Sequence, residues 1–273
     1  MQEIDARRLR AELGDRYAVV DVVPTTGSTN ADLRAAAAED AEDRTVLIAE
    51  EQTAGVGRRA RSWSSPKGAG IYLSVLLRPR EVTFAELGSL ALVAGLAVLD
   101  LTDRLGVPAV LKWPNDVLAG PDRAKCAGIL AEAVSSEELA VVLGIGLNVR
   151  PPREPVKPGP GGLPPTSLAE QGASSTDRTE LAAILLTAFA ERERRWRTAG
   201  GSLARSGLLP EYRERCATIG QDVKIIMPNG SALHGTAVDV DTAGQLLLTT
   251  ADGQRRTVFA GDVVHLRPQV ADD

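Results

Sequence analysis

At 273 residues with 36 acidic and 31 basic side chains, the chain carries a formal net charge of -5 and a pI near 5.3, which excludes binding of nucleic acid through bulk positive charge. Hydrophobic residues at 44% and charged residues at 25% describe an ordinary globular chain able to bury a core, organised as one large domain and a small one. Aromatics at 3% leave Leu, Val, Ile and Ala to build that core and argue against a base-stacking surface.

Met1 to Gly14 is charged throughout and lacks the apolar stretch of a signal peptide, so the mature chain is expected to start here and to work in the cytoplasm. Periodicity then predicts a strand at Tyr17 to Val23. Ser28, Thr29 and Asn30 follow as a cap for a helix over Ala31 to Glu39. Strands at Thr45 to Glu50 and Ile71 to Leu77 flank a long polar loop. Phe84 to Leu105 reads as an apolar helix whose run Leu90 to Leu99 is about half the roughly 20 residues of a membrane span, hence buried. A short strand, Ala109 to Trp113, stops at Pro114, and strands at Lys125 to Ala133 and Leu139 to Leu147 complete an α/β (α+β) domain with a mixed sheet.

From 150 to 165 the composition turns to Pro and Gly, the signature of a surface loop or linker. Asp177 to Thr198 regains helical period, with Leu181, Ile184, Leu185, Ala188 and Phe189 on one side and Glu191 to Arg197 expected as its solvated face. After Cys216 come short strands at Asp222 to Met227, Ala232 to Asp239, Gln245 to Thr250, Arg256 to Phe259 and Val263 to Arg267, a spacing that suits a small SH3-like barrel. The expected division is 1–216, 217–268 and a tail, 269–273. Cys126 and Cys216 lie far apart and are expected as free thiols; His234 and His265 lack ligand spacing, so no metal site is expected.

Chemistry is concentrated in a few places. The loop Thr53 to Lys67 holds Arg58, Arg59, Arg61 and Lys67 and no acidic residue. Gly55 and Gly57 would let its backbone approach a ligand, and guanidinium groups fit phosphate or carboxylate geometry. Repulsion among the arginines would keep the loop mobile until an anion arrived, although an exposed loop with solvated arginines is as good a reading of this segment alone. Lys112-Trp113-Pro114-Asn115-Asp116 is by itself an ordinary strand end and turn, Lys125 a residue at a strand start, and Gly144-Ile145-Gly146-Leu147-Asn148 lacks the strand-turn-helix setting of a dinucleotide site.

Taken together and in this order, these segments resemble the biotin protein ligases. The resemblance rests on Gly-Ser-Thr-Asn at 27 to 30, Glu-Gln-Thr-Ala-Gly at 51 to 55, the arginine loop, Lys-Trp-Pro-Asn-Asp at 112 to 116, Lys125 with Gly128-Ile129-Leu130, and Gly-Ile-Gly-Leu-Asn at 144 to 148. It implies the class II synthetase type of catalytic fold with an SH3-like C-terminal domain, and biotin and ATP as substrates with Mg²⁺. The partner implied is a biotin carboxyl carrier domain of a biotin-dependent carboxylase, with neither nucleic acid nor membrane. Residue by residue, Ser28, Thr29 and Gln52 would bind the ureido head, Gly55 and Gly128 would line the biotin site, and Arg58 and Arg61 would hold carboxylate and phosphate. Trp63 would lie near adenine and Asn148 near the nucleotide. Lys125 would stabilise charge at the reacting carboxyl and α-phosphate, and Asp116 would position or deprotonate the incoming lysine, supported by Lys112 and Asn115. The loop departs from the family's pattern at Val56, where one cation is lost, and at Ala60, which would be strained at positive φ.

A lipoate-type ligase of the same fold ranks lower because its arginine-glycine and His-Asp signatures are missing, a non-catalytic binding module with an SH3-like barrel would not need the arginine loop together with Lys125, and a biotin-adenylate-binding regulator without strong ligase activity stays as an alternative. A DNA-binding repressor form would need more residues before the first strand than are given, and acidic residues outnumber basic ones after Ala217.

Overall fold

β-Branched and leucine-rich runs in the first half pair into one seven-stranded sheet of order β1-β2-β3-β7-β6-β5-β4. Its strands are β1 (Val19–Val23), β2 (Thr45–Ala49), β3 (Gly70–Leu77), β4 (Ala109–Lys112), β5 (Asp116–Ala119), β6 (Ala124–Val134) and β7 (Ala140–Asn148). β1 runs parallel to β2 and the other pairs are antiparallel. The computed structural model describes residues 2–134, 138–152, 154, 156, 158, 162–227, 229–259 and 261–266, so the prolyl segment 150–165, the predicted end of the last strand at 267 and the tail lie wholly or partly outside the described residues.

β3 is buried along its whole length because both faces of the sheet are covered. Ile71, Leu73, Val75 and Leu77 face a large core shared with α3 (Leu90–Arg104) and α4 (Arg178–Thr198), while Leu76 packs with Leu33 and Ala37 of α2 (Thr29–Ala38) on the other side. α3 is the apolar helix anticipated from the sequence, with Phe84–Ser89 wound as a 3-10 turn before it. The run Phe84–Arg104 is long and apolar enough to cross a membrane by composition, yet Leu90 to Leu99 packs inside this core apart from a partly buried Ala91.

Two helices escaped the sequence reading. α1 (Ala6–Leu13) is capped by the Asp5 carboxylate, which accepts from the Arg8 N–H, and buries only Leu9 and Leu13. α5 (Leu208–Arg215) spans eight residues before Cys216. The charges on α4 are a correction: Glu193 is almost fully buried, accepting from Arg44 at 2.6 Å and Arg197 at 2.5 Å, and Trp196 beside it is fully buried. Paired arginines from two elements make that burial tolerable, so within the stretch expected to be solvated Glu191, Arg194 and Arg195 are exposed while Glu193 belongs to an internal ionic network.

The C-terminal strands β8 (Asp222–Ile226), β9 (Ala232–Val240), β10 (Leu246–Thr249), β11 (Arg255–Val258) and β12 (Asp262–His265) form a five-stranded antiparallel sheet of order β11-β10-β9-β8-β12. It meets the seven-stranded sheet at Trp113, whose backbone N–H donates to the Thr218 hydroxyl at 3.0 Å and whose indole N–H donates to the Gly244 carbonyl at 2.9 Å.

Candidate active site

The twofold period of strands decides what faces the cleft. In register, Gly128 of β6 opposes Gly146 of β7, which opposes Tyr72 of β3, while Gly144 opposes Ser74. These residues share the α2 face, and α2 covers it only in part. The uncovered remainder is a cleft of about 1050 Å³, ample for two small substrates. Glycine is needed on this floor: a Cβ at 146 would come within 2.4 Å of the Trp63 indole nitrogen, and one at 128 within 3.0 Å of the same ring. Trp63 thus lies flat against two glycines, with the Lys125 ammonium 5.3 Å from its ring centroid.

At one end stand Ser28, Thr29 and Gln52. Ser28 occupies the N-cap position of α2 but its hydroxyl makes no capping bond, a correction to the simple cap reading. Gln52 is fixed from both sides, its Oε1 accepting from the Thr29 N–H at 2.9 Å and its Nε2 donating to the Ser65 hydroxyl at 2.9 Å. At the other end the hairpin of β4 and β5 pairs Lys112 with Asp116, while Lys125 of β6 stands opposite Leu118, past a register shift between Val117 and Leu118. The Asp116 carboxylate lies 2.6 Å from Lys125 and 3.8 Å from Lys112. Burial holds the Lys112 ammonium below the ordinary lysine value, with Asp116 pulling the other way. Asn115 is anchored to the floor by donating to the Ile129 carbonyl at 2.9 Å, and Asn148 by donating to the Thr166 carbonyl at 2.9 Å.

The arginine loop closes the side. Arg58 donates to Asn115 Oδ1 at 3.2 Å and to the Gly261 carbonyl at 3.1 Å, and its burial depresses its pKa. Arg59 and Arg61 share one carboxylate, Asp262 of β12, at 3.0 and 2.7 Å. That shared anion offsets the mutual repulsion expected to keep the loop open, and the loop is a formed turn. Arg59 and Ala60 both sit at left-handed φ, 57° and 56°, so the expected strain at Ala60 is present.

Ser28, Thr29, Gln52, Arg58, Arg61, Trp63, Lys112, Asn115, Asp116, Lys125, Gly128 and Asn148 all line the cleft. Gly55 does not: it packs beneath the loop, where a Cβ would lie 2.6 Å from the Trp63 carbonyl, and its own carbonyl accepts from the Trp63 N–H at 2.8 Å. Two contributors were missed. Asp262 gave no signal, being one acid among many. Ser74, a lone polar residue in the apolar run Ile71 to Leu77, was a legible one.

The chain matches the Biotin/lipoate A/B protein ligase family over residues 22–148 and the Biotin protein ligase C terminal domain over residues 218–266. It is 45% identical to the biotin–[acetyl-CoA-carboxylase] ligase of Mycobacterium tuberculosis, over 97% of this chain and 96% of that protein. The chain belongs to the biotin protein ligase family. This ligase is also 30% identical to the bifunctional ligase/repressor BirA of Bacillus subtilis, over 92% of its own length and 74% of that protein's. Among solved structures it is similar to the biotin protein ligase from Aquifex aeolicus in complex with biotin and ATP, with a TM-score of 0.74 and 28% identity over 92% of this ligase and 100% of that chain.

Proposed function

We propose that the protein condenses biotin with ATP to biotinyl-5'-AMP, releasing pyrophosphate, and then transfers biotin to a lysine of a biotin carboxyl carrier domain, releasing AMP. The observation that carries this reading is one cleft with neutral hydrogen-bonding groups at one end, a glycine floor in the middle and converging cations at the other. Biotin has matching parts: a ureido head, an apolar ring and chain, and a carboxylate that must meet an anionic triphosphate.

In this reading Ser28, Thr29 and Gln52 hold the ureido group, and the carboxylate points towards Lys125. Lys125 and Arg58 offset charge as the carboxylate attacks the α-phosphate, and Arg61 holds phosphate. Trp63 packs against the adenylate, with Asn115 and Asn148 orienting the nucleotide. Gly128 keeps the floor thin, and Gly55 acts indirectly by keeping Gln52 and Trp63 in place. In the second step Asp116, flanked by two lysines, accepts or directs the proton of the incoming amine, and Lys112 helps to stabilise the departing phosphate. Mg²⁺ would neutralise triphosphate charge when bound. Asp116 is already paired with Lys125 and Lys112, so the ion would be held by the phosphates themselves.

The division of labour we propose is a catalytic part over 1–216 and a C-terminal SH3-like part over 217–268, acting in the cytoplasm on a carboxylase carrier. The test is incubation with biotin, MgATP and a carrier domain, read as one biotinyl group added by mass. Lipoate is the control: its dithiolane head has no N–H or carbonyl for Ser28, Thr29 and Gln52 and would leave them unpaired. Labelling with lipoate and none with biotin would overturn the reading.

A further inference from the structure

A chain of buried hydrogen bonds runs from the neutral end of the cleft to the protein surface, and every proton in it can be assigned. Asn30 Nδ2 donates to Glu132 Oε2 at 2.8 Å and has the Leu130 carbonyl 3.5 Å away, so its amide nitrogen faces acceptors and its Oδ1 faces inward. The reversed amide would set Oδ1 against a carboxylate that Arg34 pairs with at 3.2 Å. Ser74 Oγ lies 2.6 Å from that Oδ1 and must donate to it. Ser74, fully buried, has one proton, and it is now spent. The 2.7 Å contact between Thr29 Oγ1 and Ser74 Oγ therefore uses the proton of Thr29.

The consequence is local and chemical. Thr29 Oγ1 also has Gln52 Oε1 within donating distance at 3.0 Å, but its single proton is required by the shorter 2.7 Å contact to Ser74, so both oxygens present lone pairs to the cleft. Two adjacent acceptors with no proton between them make a receptor for an N–H donor. We propose that Ser74, Asn30 and Glu132 are positioning residues that lock the Thr29 hydroxyl as an acceptor, so that the head-group site selects a ligand presenting N–H there and rejects one presenting an oxygen. This rests on the biotin reading above and adds to it the source of its selectivity. The controlling group, Glu132, sits at the partly exposed end of the relay rather than among the residues that line the cleft.

The relay can be reversed from that end. Glu132→Lys replaces an acceptor with a donor, so the Asn30 amide turns, Ser74 donates to Thr29, and the threonine proton is held only by Gln52 Oε1 at 3.0 Å, from which it can turn to an oxygen presented in the cleft. Ser74→Ala frees the same proton by removing its acceptor. Glu132→Gln keeps an acceptor and serves as the conservative control. The measurement is calorimetric titration of the full chain with biotin and with the two cyclic carbamates in which a ring oxygen replaces one ureido N–H.

The wild type should prefer biotin over the carbamate whose oxygen meets Thr29 by about a hundredfold or more. That ratio should fall by about tenfold or more in Glu132→Lys and in Ser74→Ala, and hold in Glu132→Gln. A purely structural role would weaken all ligands together and leave the ratio unchanged, which would overturn the proposal. If Ser74→Ala fails to fold, the partly exposed Glu132→Lys decides alone. A wild type that binds biotin with an invariant ratio across the variants overturns the relay only, whereas a wild type that binds no biotin overturns the head-group reading and the relay with it.

Discussion

His265 of β12 lies with Nε2 3.1 Å from the Thr218 hydroxyl, on the joint between the two sheets. Burial, reinforced by the nearby Lys112 and Arg123 charges, lowers its pKa from the ordinary 6.5 to about 4. Between those values the unfolded chain takes up a proton that the folded chain refuses, so the stability it contributes is complete above pH 6.5 and is lost as the pH falls towards 4. The melting temperature of the wild type should therefore drop relative to His265→Gln across that window and run parallel to it above; a constant gap at every pH would remove His265 from the account. Val56 answers a different question. Its backbone pairs with Ser62 and the residue, 48% exposed, sits on the open rim of the cleft, so the missing cation is one that solvent would screen. An exposed pair contributes at most about 1 kcal/mol, or roughly fivefold, so Val56→Arg should change the rate of adenylate release by less than about fivefold. Release slowed a hundredfold, measured by single-turnover quench, would show that position 56 reaches the ligand. At this scale the cleft residues Ser28, Thr29, Gln52 and Arg58 were legible because each sits in a short polar motif, whereas Lys125, in the apolar run Ala124 to Leu130, stood out only through the resemblance. Gly55 was misplaced because a glycine that lets two neighbours pack and a glycine that touches ligand look the same in sequence.

Strands and helices were legible where one face is buried and illegible where tertiary contact supplies the stability. β3, β6 and β7 read directly from their apolar runs. β5 did not, because Pro114-Asn115-Asp116 has turn composition, and only pairing with β4 and β6 makes Asp116–Ala119 a strand. α1 and α5, eight residues each, are too short to show periodicity and depend on a cap and a few buried leucines or a tyrosine. The floor of the cleft is an element-scale property, since Gly128 and Gly146 pair across β6 and β7 and so offer a surface without side chains. Gly146→Ala would place a methyl group 2.4 Å from the Trp63 nitrogen and drive the indole off that surface. Trp63 tethers the arginine loop through its N–H to Gly55, so the variant should be cut by trypsin after Arg58, Arg59 or Arg61 several times faster than the wild type while melting cooperatively. Equal cutting would mean that the loop is held by Asp262 alone.

The larger of the two apolar clusters among the described residues spans both sheets. Val223, Ile225, Leu246 and Val263 of the C-terminal sheet belong to the same buried cluster as Leu111, Trp113 and Val117 of the catalytic sheet. Arg58 bonding to the Gly261 carbonyl and Arg59 and Arg61 bonding to Asp262 make the C-terminal strand part of the site wall. The two-part division visible in composition is thus a change of architecture without a break in the core. Unfolding in urea followed by tryptophan fluorescence and by far-UV circular dichroism should give coincident midpoints; two separated transitions would show that the sheets are energetically independent. The central claim concerns Lys125, which lies between Asp116 and Trp63 at the cationic end of the cleft. The measurement that bears on it most directly is biotin-dependent pyrophosphate release from MgATP by the wild type and by Lys125→Ala, with a thermal melt of each. The account predicts release by the wild type, a loss of about a hundredfold or more in the variant, and melting within a few degrees. Near-normal release by a folded Lys125→Ala would contradict it.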